Sequence, residues 1–145
     1  MYGITETATD LQAKMAWQST PYPMYENDYV KIVVHAIKKF YVDVNHPEEY
    51  DRTLYITGEN DALFYDHDFN ILEEEYIFIL SQMDFLKKVF SDLAGDSAIS
   101  YTTDALSVTG AKEGYKSVQQ QLDTLEQERI RVFHKIMAHE QGENT

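Results

Sequence analysis

The 145-residue chain contains no cysteine, which excludes disulfide frameworks and thiolate metal sites. Its twelve Lys and Arg stand against twenty-five Asp and Glu, a formal net charge of −13. Such a field repels phosphate backbones and phospholipid head groups, and so argues against nonspecific nucleic-acid binding through a basic patch.

The length suits one domain with a core large enough to need no covalent staple. The opening "MYGITETATDLQAKMAW" carries acids and no basic cluster ahead of an apolar run, unlike a secretory signal. Apolar stretches such as "YIFIL" are far too short to cross a bilayer. The expectation is a soluble intracellular protein. Its acidity serves solubility, or lets DNA slide past without sticking, or imitates DNA.

The first predicted helix lies in "TETATDLQAKMAWQS", with Thr5 or Thr7 as N-cap and Leu11 and Met15 on one face, ending before Ser19, Thr20 and Pro21. A second runs from about Tyr25 to Tyr41: Tyr29, Val33, Ala36, Ile37 and Phe40 recur at helical spacing, and Val30, Ile32 and Val34 widen the apolar face. Its β-branched residues are mediocre helix formers, so tertiary packing must hold it.

From Asp43 to Asp68 the pattern changes. "VNHPEEYDR" reads as loop, because Pro47 restricts His46 and removes an amide. "TLYIT", the turn-like "GEND" and "ALFYD" suit a short hairpin; an ordered excursion with Leu54, Ile56, Leu63 and Phe64 covering the core is the alternative.

The third predicted helix starts from a cap at Asn70 or Asp68 and runs to Ala94, with Gly95 as its stop. Leu72, Tyr76, Ile79, Met83, Leu86, Phe90 and Leu93 form its stripe, and Glu73, Glu74 and Glu75 complement the exposed amides of its first turns. The stretch "AISYTTDALSVTG" then alternates in part, favouring extended backbone, and Gly110 permits the turn into the last helix. Loops of this length are usually disordered or functional. Ile99, Tyr101, Leu106 and Val108 are too apolar for a solvated linker, so the favoured reading is a segment that adds strand pairs to a neighbour.

The fourth predicted helix begins near Ala111 or Lys112 and continues to about Ala138. Tyr115, Val118, Leu122, Leu125, Arg129, Val132 and Ile136 form a nearly unbroken heptad seam. The seam either packs antiparallel on the third helix or, beyond Arg129, outruns the domain and docks on another protein through Phe133, Ile136 and Met137. These elements predict a mainly α fold, a small bundle of about four helices with a long extended or β-hairpin loop before the C-terminal helix. They form a single domain over residues 1–145, with 96–110 as interaction loop and 139–145 as mobile tail.

Catalytic patterns fare poorly. Asp66, His67 and Asp68 are chain neighbours that point opposite ways on an extended backbone, so Asp68 reads better as a helix cap. The Glu73 to Glu75 run lacks the Glu-x-x-His partner of a dimetal bundle, and an EF-hand from Asp66 would meet Ile71 and Ile77 where Gly and Glu belong. "TGAK" is too short for a phosphate loop, and no Gly-x-Ser-x-Gly occurs. His134 and His139 have the wrong spacing for one helical face, and His35 reads as a surface or boundary residue. The expectation is a protein that is not an enzyme and needs no cofactor or metal.

The segments "ENDYVKIVVHAIKKFYVDV", "NILEEEYIFILSQMDFLKKVFSDL" and "ISYTTDALSVTGAKEGYKSVQQQLDTLEQERIRVF" together resemble, in an acidic cysteine-free chain, the connector proteins of tailed bacteriophages: adaptor or head-completion subunits between portal and tail. The resemblance implies a helical virion structural protein of the neck, assembled in the host cytoplasm as a ring, commonly a dodecamer, on the portal protein. DNA would pass through without specific binding, and no membrane would be engaged. It further implies that Ile99, Tyr101, Thr103, Leu106 and Val108 face a neighbouring subunit or the tail, and that the last helix, with Arg129, Phe133, Ile136 and Met137, is directed at the portal. The alternative is an acidic DNA mimic, a regulatory protein that occupies a basic nucleic-acid enzyme; a plain helical scaffold using the heptad seam is a third.

Overall fold

The computed structural model describes residues 2–15, 26–44, 56–59, 62–65, 68–100 and 105–143. Within them the chain runs β1 (Tyr2–Gly3), α1 (Ile4–Lys14), α2 (Glu26–Asp43), β2 (Ile56–Glu59), β3 (Ala62–Tyr65), α3 (Ile71–Ser100) and α4 (Ala105–Glu143). The described residues are therefore mainly helical with one small antiparallel sheet, in strand order β1-β3-β2.

The hairpin reading of "TLYIT" and "ALFYD" holds, with Ile56 opposite Tyr65 and Glu59 opposite Ala62. The unforeseen strand is β1, which lays Tyr2 against Tyr65 and Gly3 against Phe64. Because β1 feeds straight into α1, the helix N-cap is Gly3, not Thr5 or Thr7. Both threonines serve elsewhere: Thr7 Oγ1 donates to the Gly3 carbonyl at 2.8 Å, and Thr5 Oγ1 accepts the Leu63 amide at 2.8 Å, tying α1 to β3.

The periodic faces pack as their spacing requires. In α2, Tyr29, Val33, Ala36, Ile37 and Phe40 are all buried, with Ile32 and Val34 half-buried against them. The start of α3 is a reciprocal cap: Asn70 Oδ1 accepts the Glu73 amide at 2.9 Å, and Glu73 Oε1 accepts the Asn70 amide at 3.0 Å. Asn70 thus takes the role that the spacing had offered equally to Asp68. From Tyr76 to Leu86, α3 is buried on nearly every side, Ser81 and Gln82 included. The two buried polar side chains of this stretch turn back onto their own helix, Ser81 Oγ onto the Ile77 carbonyl and Gln82 Nε2 onto that of Phe78. The helix is enclosed by α2 on one side and α4 on another.

Aromatic rings join the sheet to the helices. Phe69, just ahead of α3, stacks on Tyr65 at 5.7 Å and meets Tyr2 edge-on at 5.1 Å and Phe40 at 5.6 Å. One ring thereby holds β1, α2 and β3 together. Offset and edge-on pairs of this kind add to the apolar burial itself.

Two expectations about α3 and α4 are overturned. Gly95 does not stop α3, which continues to Ser100, and α4 starts at Ala105 and not near Ala111. The expected extended loop over 96–110 is therefore helical over 96–100 and 105–110. The physical reason is one of magnitude: Ser, Thr and Val cost only a few tenths of a kcal/mol each in a helix, and Gly about 1 kcal/mol. Two long helices already nucleated and paired absorb that penalty through continued propagation. At the other end α4 runs to Glu143, so residues 139–143 are helix where a tail was expected.

Truncating Phe69 to Ala should destabilise the protein by about 3–5 kcal/mol, because the ring is buried and has several facing partners. Urea unfolding followed by far-UV circular dichroism measures this, and the exposed Val42→Ala change serves as the near-neutral comparison.

Candidate functional site

The residues nominated from sequence fall at two places. Ile99 lies on the last turn of α3, and Leu106 and Val108 on the first turns of α4. Tyr101 and Thr103 lie outside the described residues, as do Leu54, Asp66, His67 and the side chains of Phe90, Leu93, Ile99, Leu106, Val108 and Tyr115. Contacts between α3 and α4 run in opposite chain directions: Tyr76 meets Arg129 and Phe133, while Leu86 lines a groove with Ser117 and Gln121. The helices are antiparallel. Over its 30 residues α3 leads about 45 Å away from the sheet, so the turns carrying Ile99, Leu106 and Val108 occupy the end of the helix pair remote from Phe69.

The second nominated group turns inward. Ile136 is buried, and Phe133 and Met137 pack against the same core. Together with buried Val118 and Val132 they complete the antiparallel seam. The portion of α4 beyond Arg129 therefore does not outrun the domain. It closes the domain, because a heptad seam facing an equally apolar α3 is satisfied within the chain.

Arg129 sits at the heptad position where an apolar residue is expected, and the structure accounts for it. Its Nη1 donates to the Tyr76 hydroxyl at 2.9 Å, and its Nε donates to Glu126 Oε2 at 2.8 Å in a forked pair completed by Nη2 and Oε1. The Tyr76 hydroxyl in turn donates to Asp43 Oδ2 at 2.6 Å. Three helices, α2, α3 and α4, are thus joined through one half-buried polar cluster. Burial, reinforced by the hydrogen bond to Asp43, holds the Tyr76 hydroxyl well above the usual tyrosine range. The hydrogen bond from Arg129 holds the Glu126 carboxyl below the usual carboxylate range, and that same bond keeps Arg129 cationic. The cluster joins the three helices in one register, with Glu126 and Arg129 held as an ion pair. Sequence reading marked Arg129 and Tyr76 separately but carried no signal that they meet.

A second feature is an open groove of about 830 Å³ between α1 and α3. Four carboxylates, Glu6, Asp10, Glu74 and Glu75, line it with a single cation, Lys14. Its apolar surface comes from Tyr2, Phe78 and Ile71, the last 82% exposed. Burial, opposed by a hydrogen bond with Thr7 and reinforced by three of these carboxylates, Glu74, Asp10 and Glu6, pushes the Tyr2 hydroxyl up to about 12. The sequence marked Glu74 and Glu75 only as residues of the first turns of a helix. Their meeting with Glu6 and Asp10 is a product of folding.

His35, on the exposed face of α2, pairs with Asp84 of α3 through Nδ1 and Oδ2 at 2.9 Å. Among the described residues no group of three or more His, Asp or Glu is placed to hold a metal ion, and no helix is long and apolar enough to cross a membrane. No known protein family, curated protein or solved structure matches the chain.

Tyr76→Phe and Arg129→Met should each destabilise the fold by about 1–3 kcal/mol, and their effects should be non-additive in a double-mutant cycle because the two groups share one hydrogen bond. The pH dependence has two limbs. Glu126, depressed in the folded chain, contributes stability above the ordinary carboxylate range and loses it as pH falls through its lower folded value; Arg129→Met should flatten this acid limb. Tyr2 keeps its proton in the folded chain when an unfolded tyrosine has released its own, so its contribution is full below about pH 10 and falls as pH rises toward 12. Urea midpoints across pH, compared with Tyr2→Phe, check the alkaline limb.

Proposed function

We propose that the protein is a noncatalytic structural subunit of the head–tail connector type of tailed bacteriophages, forming a ring between portal and tail through which DNA passes. The observation that supports this most is the long antiparallel pair of α3 and α4 in a strongly acidic chain. The pair is sealed to the body at one end by Phe69, Tyr76 and Arg129, and ends at the other in the apolar-rich stretch containing Ile99, Leu106 and Val108. A stiff helical pair rooted in a packed body suits a subunit whose work is done by shape and contacts. The net charge of −13 suits a channel wall that must not retain DNA.

The contact mode differs from the strand addition suggested by local sequence. With helical backbone at 96–100 and 105–110, neighbouring subunits would meet helix to helix, and the alternation of apolar residues would not set a strand register. Portal engagement would have to use surfaces other than Ile136, which is buried in the subunit's own core.

The deciding experiment is affinity capture of the tagged chain from its producing cells, with mass spectrometry of what is retained. Portal, tail and capsid proteins are the expected companions. A basic nucleic-acid enzyme, held in a complex lost at high salt, would replace this reading with the DNA-mimic one. In parallel, Leu106→Asp with Val108→Asp should leave helical content and urea midpoint near wild type while abolishing ring formation in light scattering; an unfolded double variant would place those residues in the core instead. Removing the chain after Arg129 should unfold the subunit, since it deletes buried Val132 and Ile136, and circular dichroism reads that directly.

A further inference from the structure

The groove between α1 and α3 lies beside the sheet, at the opposite end of α3 from the proposed assembly contacts, and has no part in them. Its make-up is unusual in combining an exposed apolar side chain with one-sided charge. Ile71 stands at the first position of α3, where the Asn70 and Glu73 cap already satisfies the local backbone, and it is 82% exposed. Its side chain does not serve the core. Ile71 also lines a neighbouring groove of about 430 Å³ with Phe69, Leu72 and His139, so it forms a ridge between two depressions.

The charge around this ridge comes from two helices. Glu6 and Asp10 face it from α1, Glu74 and Glu75 from α3, and among the described residues that line the groove Lys14 is the one cation. The Glu6 side chain lies over Gly3, its Oε2 so close that a β-carbon at Gly3 would sit 3.2 Å from it.

We propose that this groove docks a basic amphipathic helix of a partner protein, with a large apolar side chain set between Ile71 and Phe78 and Lys or Arg side chains facing Glu6, Asp10, Glu74 and Glu75. Charge complementarity selects the occupant, since a nucleic acid or an acidic segment would be repelled by four carboxylates against one lysine. Size agrees: α1 has 11 residues, so the groove wall is about 16 Å long and matches about three turns of a docked helix. The mode is helix in groove, in which an apolar anchor supplies most of the affinity and charge supplies orientation and rate. The inference goes beyond the connector reading and holds for a free subunit or an assembled one.

The test uses fluorescence anisotropy with the full chain and a labelled 14-residue peptide of Leu and Lys, its leucines at helical i, i+3, i+4, i+7 spacing. A Leu and Glu peptide of the same spacing and a 14-residue oligolysine serve as comparators. The Leu and Lys peptide should bind, the acidic one should not, and oligolysine should bind more weakly. Ile71→Ser should weaken the first complex about tenfold, as expected for loss of an apolar anchor, without shifting the urea midpoint. Glu74→Gln with Glu75→Gln should weaken it and reduce its salt dependence, whereas Asp123→Asn with Glu128→Gln, exposed on α4, should leave it unchanged. Failure of the Leu and Lys peptide to bind would overturn the proposal. So would equal weakening by the α4 variant, or indifference to Ile71→Ser, since binding would then be diffuse charge attraction. Because ring formation is not part of the readout, this outcome and that of the capture experiment are separable.

Discussion

The burial of α3 on nearly all sides between Tyr76 and Leu86 is the constraint from which the rest of the structure follows. A helix enclosed in this way has no solvated face to absorb error, so each neighbour must present an apolar stripe of matching spacing. Both α2 and α4 do so, the first through Tyr29, Val33, Ile37 and Phe40, the second through Val118, Val132 and Ile136. Where a polar side chain lies inside, it bonds back to its own helix, as Ser81 does, or is met by partners, as Tyr76 is.

The two ends of α3 are treated differently. Near its start, the reciprocal cap at Asn70 and Glu73, the Phe69 ring and the sheet anchor the helix to three other elements. The Tyr76, Asp43, Arg129 and Glu126 cluster then locks α2, α3 and α4 in register, since hydrogen bonds are far less tolerant of sliding than apolar contacts are. Both the acidic groove and the inward-facing seam of α4 lie toward this anchored end. The remote end carries the helix turns with Ile99, Leu106 and Val108, so anchoring and proposed assembly are separated along one helix pair.

The two proposed surfaces use the net charge in different ways. A diffuse excess of carboxylates gives a general field that repels phosphate backbones, which is a property of the whole chain. The meeting of Glu6, Asp10, Glu74 and Glu75 around Ile71 is local, and concentrates the same charge where an apolar side chain is available to anchor a ligand. Composition reports only the first of these.

Periodicity by itself determined which faces of α2 and α4 turn inward, because a 3.6-residue repeat of large apolar side chains presents one stripe to bury; in α3 it marked the stripe through Tyr76, Ile79, Met83 and Leu86 but not the burial of Ile77, Leu80 and Phe85 on the other sides. Local chemistry likewise marked the hairpin at Ile56 to Tyr65 and offered Asn70 as a cap. What lay between or beyond these signals was decided by tertiary structure. The β1 strand has two residues and exists only because Tyr65 and Phe64, far along the chain, offer it an edge. Arg129 counted as one step of the heptad seam, and only folding sets the Tyr76 hydroxyl of another helix beside it. The hydroxyl-rich stretch read locally as extended, yet the residues flanking 101–104 are helical, since weak intrinsic propensities yield when two long packed helices extend into them. Spacing along the chain carries face and period, whereas pairing between distant residues carries no local mark and is settled only by packing.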